Sequence, residues 1–174
     1  MDTGLSIISD KDKFICVLLE IFILNILILG VALSGASTDW FTSLNKGGIS
    51  ETMMLLLYGM GTVMGYIGMI IFYTNKGTIK SYWPTGEKRS LYVTYLFLIG
   101  AFITLAWVIF FFYYQNIRLS LYLLSVPFAF TFWLFIYMWN IVPIAAIFLL
   151  PIMGVYIYLF YWVARIGIIN NIPL

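Results

Sequence analysis

The side chains that could carry acid–base or metal chemistry are few in this sequence. It contains no histidine, the commonest general base and metal ligand, and its single cysteine, Cys16, lies in an apolar segment. One cysteine alone excludes an intrachain disulfide. We therefore expect neither a catalytic triad nor a bound metal ion.

Glu20 is the one acidic residue inside a long apolar segment. A carboxylate within a membrane is costly and is a candidate for function by default, whereas a position near the interface would leave it solvated. One hypothesis pairs Glu20 with Asn25 as a proton or substrate site of a small enzyme or transporter. A separation of five residues places the two about 140° apart around a helix, which disfavours this hypothesis.

Aromatic residues make up 20% of the chain and offer a different chemistry, contact with flat ring systems. Tyr82 and Trp83, and also Trp139 and Trp162, are typical of an aromatic belt at a membrane interface. Trp107 falls in the middle of an apolar segment, where belt anchoring does not apply. Rings at that depth either pack a helix bundle or line a pocket for a flat apolar ligand with polar edges.

A short pattern near the carboxyl terminus is typical of proposed sterol contacts. Leu159, Tyr161 and Arg165 fit the form L/V-x-Y-x-K/R with variable spacers. Aromatic-rich helix ends match this pattern easily, so a sterol contact and an ordinary helix end both stay open.

The elements that position these residues are membrane helices. The chain is 63% hydrophobic and 9% charged, whereas soluble domains carry about 25% charged residues. A hydrocarbon core about 30 Å thick requires about 20 apolar residues per helix, and five segments meet this length. The sequence predicts an all-α, polytopic membrane protein with one domain, 1–174, formed by a bundle of five transmembrane helices. The predicted helices cover residues 14–35, 52–73, 91–114, 119–138 and 141–166.

Charge and small residues set the orientation and the partners that we expect. Six basic residues fall on the side of the amino terminus and three on the other, so the positive-inside rule places the amino terminus on the cytoplasm-like side of a multi-pass protein. No basic run is long enough to bind nucleic acid. Besides the lipid bilayer, we expect a second copy of the chain as partner, because Gly61 and Gly65 form a G-x-x-x-G face that favours a homodimer.

Motif residues occur in a recognisable order in the first connection, the second, third and fifth helices and the carboxyl terminus. They are Trp40, Phe41, Leu44 and Lys46; Met64 and Gly65; Thr104, Trp107, Phe111 and Phe112; Ala145, Ala146, Pro151 and Tyr158; and Asn170. The register holds without a gap from Trp107 to Asn170. In this order the sequence resembles the TspO/MBR family of tryptophan-rich sensory proteins or translocator proteins, whose mammalian members are called peripheral benzodiazepine receptors.

The resemblance implies a five-helix bundle, commonly dimeric, that binds porphyrins, haem, sterols or benzodiazepine-like drugs in a pocket capped by the first connection. No cofactor is obligatory, and porphyrin or haem is a candidate ligand. Without histidine, we expect porphyrin to be held by ring contact and not through iron. The ligand-binding residues that the resemblance implies are Trp40, Lys46, Tyr58, Trp107, Phe111, Pro151 and Tyr158.

Several positions depart from the family pattern. The proline after Lys46 is replaced by Gly47, the asparagine of the third helix by Thr104, and the tyrosine and tryptophan of the fifth helix by Ile152 and Val155. Positions of this kind are where the family is thought to contact tetrapyrroles or to support their photochemical breakdown, so we do not expect an enzyme. The alternative function is a ligand-free structural or accessory subunit of a membrane protein complex.

Overall fold

The computed structural model describes residues 10–46, 48, 50–75 and 86–172, and within these ranges the chain forms helices and no strand. The helices are α1 (Asp10–Ala36), α2 (Asp39–Ser43), α3 (Glu51–Thr74), α4 (Gly86–Phe112), α5 (Ile117–Trp139), α6 (Pro143–Ile147) and α7 (Leu150–Ile169). Five spans in the described ranges are long and apolar enough to cross a membrane, which confirms the all-α, five-span architecture. Helices satisfy their own backbone polar groups, as a hydrocarbon environment requires.

The membrane helices are arranged as a ring. Helix α1 packs mainly against α4, α4 against α5, α5 against α7, and α7 against α3, while the contact between α3 and α1 that closes the ring is smaller. The connection that holds α2 lies where α1 and α7 end and α3 begins. We call this side the α2 end of the bundle.

The fifth span differs from the prediction of one helix over residues 141–166. It is divided into α6 and α7 by a turn, and Pro151 lies in the first turn of α7. A proline there has no helical hydrogen bond to lose, because the first amide groups of a helix have no partner within it. Pro127, by contrast, lies inside α5 and is buried; the Thr131 hydroxyl donates to its carbonyl oxygen over 2.7 Å.

The glycine face of α3 is covered within the chain. A Cβ atom placed on Gly61 would lie 3.1 Å from the Cα atom of Ile152 in α7, and one on Gly65 would lie 3.0 Å from the ring of Phe97 in α4. These glycines therefore let α3 approach its own neighbours closely. The homodimer stays a prediction, and it requires a different surface.

Candidate ligand-binding site

The first connection contributes a ring to the interior of the bundle. Thr38 caps the short helix α2, and its Oγ1 accepts a hydrogen bond from the Phe41 backbone N–H over 3.4 Å. Phe41 is fully buried, while its neighbour Thr42 is exposed. Helix α2 therefore closes this end of the bundle with an inserted phenyl ring.

Phe41 belongs to a group of six rings, which we call the aromatic cluster. Its members are Trp40, Phe41, Trp107, Phe111, Phe112 and Trp162. The ring centroids of Phe41 and Phe112 are 4.9 Å apart, and those of Phe41 and Trp162 are 5.8 Å apart, both in edge-to-face geometry. Pairs of this kind are typically worth about 0.5–1.5 kcal/mol beyond the area that they bury.

A cavity lies beside the aromatic cluster, among α1, α3, α4 and α7. It has a volume of about 40 Å³, and its walls are almost entirely apolar. We call it the bundle cavity. Its lining includes Ile28, Met54, Tyr58, Trp107, Leu159 and Trp162.

Two polar groups beside the bundle cavity have no partner within the described part of the chain. The indole Nε1–H groups of Trp107 and Trp162 are buried and donate to no acceptor, and these side chains are only 4% and 2% exposed. Buried polar groups are nearly always hydrogen-bonded, and exceptions often mark a site where a ligand or water completes the bond. Both residues line the bundle cavity, but its walls are almost entirely apolar, so an acceptor would reach these indoles only after the cavity rearranges.

The structure brings together part of the predicted set of ligand-binding residues. Tyr58 and Trp107 line the bundle cavity. Phe111 stacks with Trp107 at a centroid distance of 6.0 Å, and Trp40 contacts Phe111 at 5.8 Å. Ring contacts therefore connect Trp40 through Phe111 to Trp107 at the cavity, which Tyr58 also lines.

The remaining three predicted residues lie apart from the cavity lining. Lys46 places its Nζ atom 4.3 Å from the centroid of the Phe41 ring, so it covers the outer side of the aromatic cluster. Pro151 is exposed, at the opposite end of α7 from the cluster, and Tyr158 is half-buried against the core. Neither of the latter two lines the bundle cavity.

The residues of the sterol-type pattern lie on different faces of α7. Leu159 is buried and lines the bundle cavity, whereas Tyr161 is 53% exposed. Arg165 donates from a guanidinium nitrogen to the Tyr161 hydroxyl over 3.3 Å. A sterol lying on the outside of the bundle would contact Tyr161 and Arg165 but not Leu159.

Trp162 is the site residue that sequence reasoning missed. Its assignment to the interfacial belt is wrong, because the ring is 2% exposed and lies in the aromatic cluster. Trp139, by contrast, is 47% exposed at the end of α5. The spacing along the helix indicates that Trp162 faces inward, because it lies three residues after Leu159 and four before Ile166, and both of these are buried. The other predicted belt residues, Tyr82 and Trp83, lie outside the described residues.

Comparison with protein families shows to which family this chain belongs. The model of the TspO/MBR family matches residues 21–169, which include every member of the aromatic cluster and the whole lining of the bundle cavity. The chain belongs to the TspO/MBR family. This confirms the resemblance seen in the sequence and supports a translocator or sensory role in a membrane. Comparisons with curated proteins and with solved structures gave no match.

Deeper in this TspO/MBR bundle, a polar layer joins α1 to α3. The Tyr58 hydroxyl donates to Asn25 Oδ1 over 2.6 Å, and Asn25 Nδ2 donates to the Ile21 carbonyl oxygen over 2.8 Å. Asn25 is buried, whereas Glu20 is exposed on the outer face of α1. The two residues do not meet, so the structure gives no support to a shared proton or substrate site.

A second polar contact ties the first connection to the end of α7 in this family member. The Asn45 backbone N–H donates to Asn170 Oδ1 over 2.9 Å, and Asn170 Nδ2 donates back to the Asn45 carbonyl oxygen over 3.0 Å. The same Nδ2 group also donates to the Ile166 carbonyl oxygen over 2.9 Å. Asn170 therefore holds the connection that carries Phe41 in place.

We expect the Asn170→Ala variant to lower the free energy of unfolding by about 1–2 kcal/mol and to speed limited proteolysis in the first connection, because two bonds to the connection are lost. Asn140→Ala is the matched control, since Asn140 makes only the corresponding bond within its own helix, to Ile136. Thermal unfolding in detergent and protease digestion measure both effects. Equal digestion rates for the two variants would show that the contact with Asn45 does not hold the connection.

Proposed function

We propose that this TspO/MBR protein binds a flat hydrophobic ligand of the porphyrin or sterol class in the bundle cavity and acts as a membrane translocator or sensor. The observation that carries the proposal is the cavity itself, an apolar space lined in part by aromatic rings, one of which contacts the inserted Phe41 ring. Ligand sites in proteins are typically apolar, with a few polar groups that orient the ligand.

The cavity must open to admit such a ligand. Its volume is about 40 Å³, whereas sites for drug-sized ligands measure about 300–1,000 Å³. One feature supports opening between α1 and α3, since their contact is the smallest in the ring of helices. The Asn170 contact would have to yield if the first connection moved as well. The described structure thus corresponds to a closed state.

The unpartnered indoles favour a ligand that carries an acceptor oxygen. No Lys or Arg side chain lines the cavity, so an ionised carboxylate at its inner end would lack a countercharge. A neutral carbonyl, ether or hydroxyl oxygen could accept from Trp107 or Trp162 without that cost. For a porphyrin, the apolar ring edge would therefore enter first and the propionates would stay near the α2 end.

The proposal is tested by titrating detergent-solubilised protein with protoporphyrin IX and following both Soret absorbance and tryptophan fluorescence. We expect saturable binding that Trp107→Ala weakens by about ten-fold, which corresponds to about 1.4 kcal/mol and is the size expected for one lost ring contact. Linear changes without saturation, in protein that unfolds cooperatively, would contradict the proposal.

Trp133→Ala is the matched control for this titration. Trp133 is 42% exposed on α5 and lines a different space, an outer groove of about 460 Å³ beside Tyr92. We expect its replacement to leave the affinity unchanged. Loss of binding in Trp133→Ala together with full binding in Trp107→Ala would place the ligand in the outer groove and overturn the proposal.

A further inference from the structure

Glu20 lies on the outer face of α1, at a depth where the hydrocarbon of a bilayer offers a carboxylate no countercharge. At the start of the span, Phe14 of α1 stacks on Tyr73 of α3, with ring centroids 4.0 Å apart, and this pair marks the level where α3 ends. Glu20 lies six residues further along α1, which is about 9 Å deeper. A glutamate has only two methylene groups, so it reaches back toward the surface far less than a lysine does.

No countercharge for Glu20 is found within the described residues. The Lys and Arg residues in the described part of the chain lie in the terminal turns of a helix or in a connection, and Glu20 is exposed and forms no ion pair within the described ranges. A buried cation partner is what makes a carboxylate tolerable in hydrocarbon. A basic side chain on a neighbouring membrane helix would supply such a partner.

The surface around Glu20 has the spacing of a helix–helix contact. Exposed residues follow one another at intervals of four and three along α1, and we call this set the outer stripe. Its members are Cys16, Glu20, Ile23, Leu27, Gly30 and Ser34. This is the heptad spacing of a left-handed helix pair, and a Cβ atom on Gly30 would meet no other atom within 4 Å, which leaves room for a close approach.

We propose that the outer stripe is the docking surface for a transmembrane helix of another protein that carries a lysine or arginine at the depth of Glu20. Charge complementarity selects this partner over a second copy of the chain. Two copies related by a two-fold axis along the membrane normal would place Glu20 against Glu20, and like charges at this depth repel. Ligand binding in the bundle cavity is not required for this contact.

The unique cysteine of the chain provides the test, because Cys16 lies one turn from Glu20 on the same stripe. Full-length protein is reconstituted into phosphatidylcholine vesicles with synthetic Leu-rich transmembrane peptides that carry one cysteine and, one turn deeper, either Lys or Leu. A thiol oxidant is added to accept the two electrons and two protons released, and disulfide formation with Cys16 is then measured on gels. We expect the Lys peptide to cross-link about five-fold more than the Leu peptide, in line with the strength of polar contacts between membrane helices.

Two variants test whether the preference for the Lys peptide depends on the Glu20 carboxylate. Glu20→Gln should reduce the ratio between the Lys and Leu peptides to about one. The double variant Leu19→Glu with Glu20→Leu keeps the carboxylate but turns it about 100° away from the stripe, and should do the same. Circular dichroism melting verifies that both variants fold.

Three outcomes would overturn the proposal. Equal cross-linking of the Lys and Leu peptides would mean that lipid alone covers the outer stripe. A Cys16–Cys16 disulfide that dominates with either peptide would assign the surface to a second copy of the chain. Preference for the Lys peptide that survives Glu20→Gln would show that the peptide binds elsewhere.

Discussion

Replacing Phe41 by alanine is expected to lower the free energy of unfolding by about 3–5 kcal/mol. The ring is fully buried and contacts Phe111, Phe112 and Trp162 at centroid distances of 6.0, 4.9 and 5.8 Å. Its removal leaves a void that the packed side chains around it cannot fill. Reversible unfolding in mixed detergent micelles measures the change.

Phe102→Ala is the control for this experiment, since it removes the same atoms from a ring that is 55% exposed on α4. Lipid or detergent fills the space that the ring leaves, so the free energy of unfolding is expected to fall by less than about 1 kcal/mol. Similar stabilities for the two variants would show that α2 is not part of the packed core.

Composition and segment length were sufficient to predict the five spans, because hydrocarbon thickness and backbone hydrogen bonding leave few other arrangements. The division of the fifth span was not predicted. Apolar residues continue through Phe148 and Leu149, so hydropathy alone gives no sign of the turn that separates α6 from α7. Pro151 gave the only hint, since proline is favoured in the first turn of a helix.

The candidate site was predictable only in part. Trp107 was singled out because a tryptophan at mid-segment cannot serve as an interfacial anchor, and it does line the bundle cavity. Trp162 was missed because its position near a span end suggested an anchor, although its helical face is the buried one. The inward insertion of Phe41 depends on the path of a connection between helices, which periodicity does not encode.

Under the proposed function, ligand binding is coupled to opening of the bundle cavity. In the described state, the indoles of Trp107 and Trp162 lack acceptors, and a buried donor without a partner typically costs about 1–3 kcal/mol. The proposed ligand would relieve this cost by supplying an acceptor in an open state. It would thereby shift the population toward that state, and this is the differential affinity that a sensor or translocator requires.

Gly68→Ala is expected to lower the free energy of unfolding by about 1–3 kcal/mol, the usual effect of overpacking a well-packed interface. The added Cβ atom would lie 2.8 Å from the Ala145 carbonyl oxygen and 3.0 Å from Phe148 Cβ, and the first of these belongs to the backbone of α6, which cannot rotate away. Helix α6 would have to move outward and take the turn before α7 with it. Unfolding in mixed micelles again measures the change.

Gly59→Ala gives the matched comparison on the same helix, because a Cβ atom there meets nothing within 4 Å. This variant should be neutral or more stable by up to about 1 kcal/mol, since alanine favours a helix more than glycine does.

The pair of variants also bears on the predicted homodimer. If the glycine face of α3 joined two copies, Gly68→Ala would dissociate the dimer and leave the unfolding of the monomer unchanged; packing within the chain instead requires that the monomer itself be destabilised.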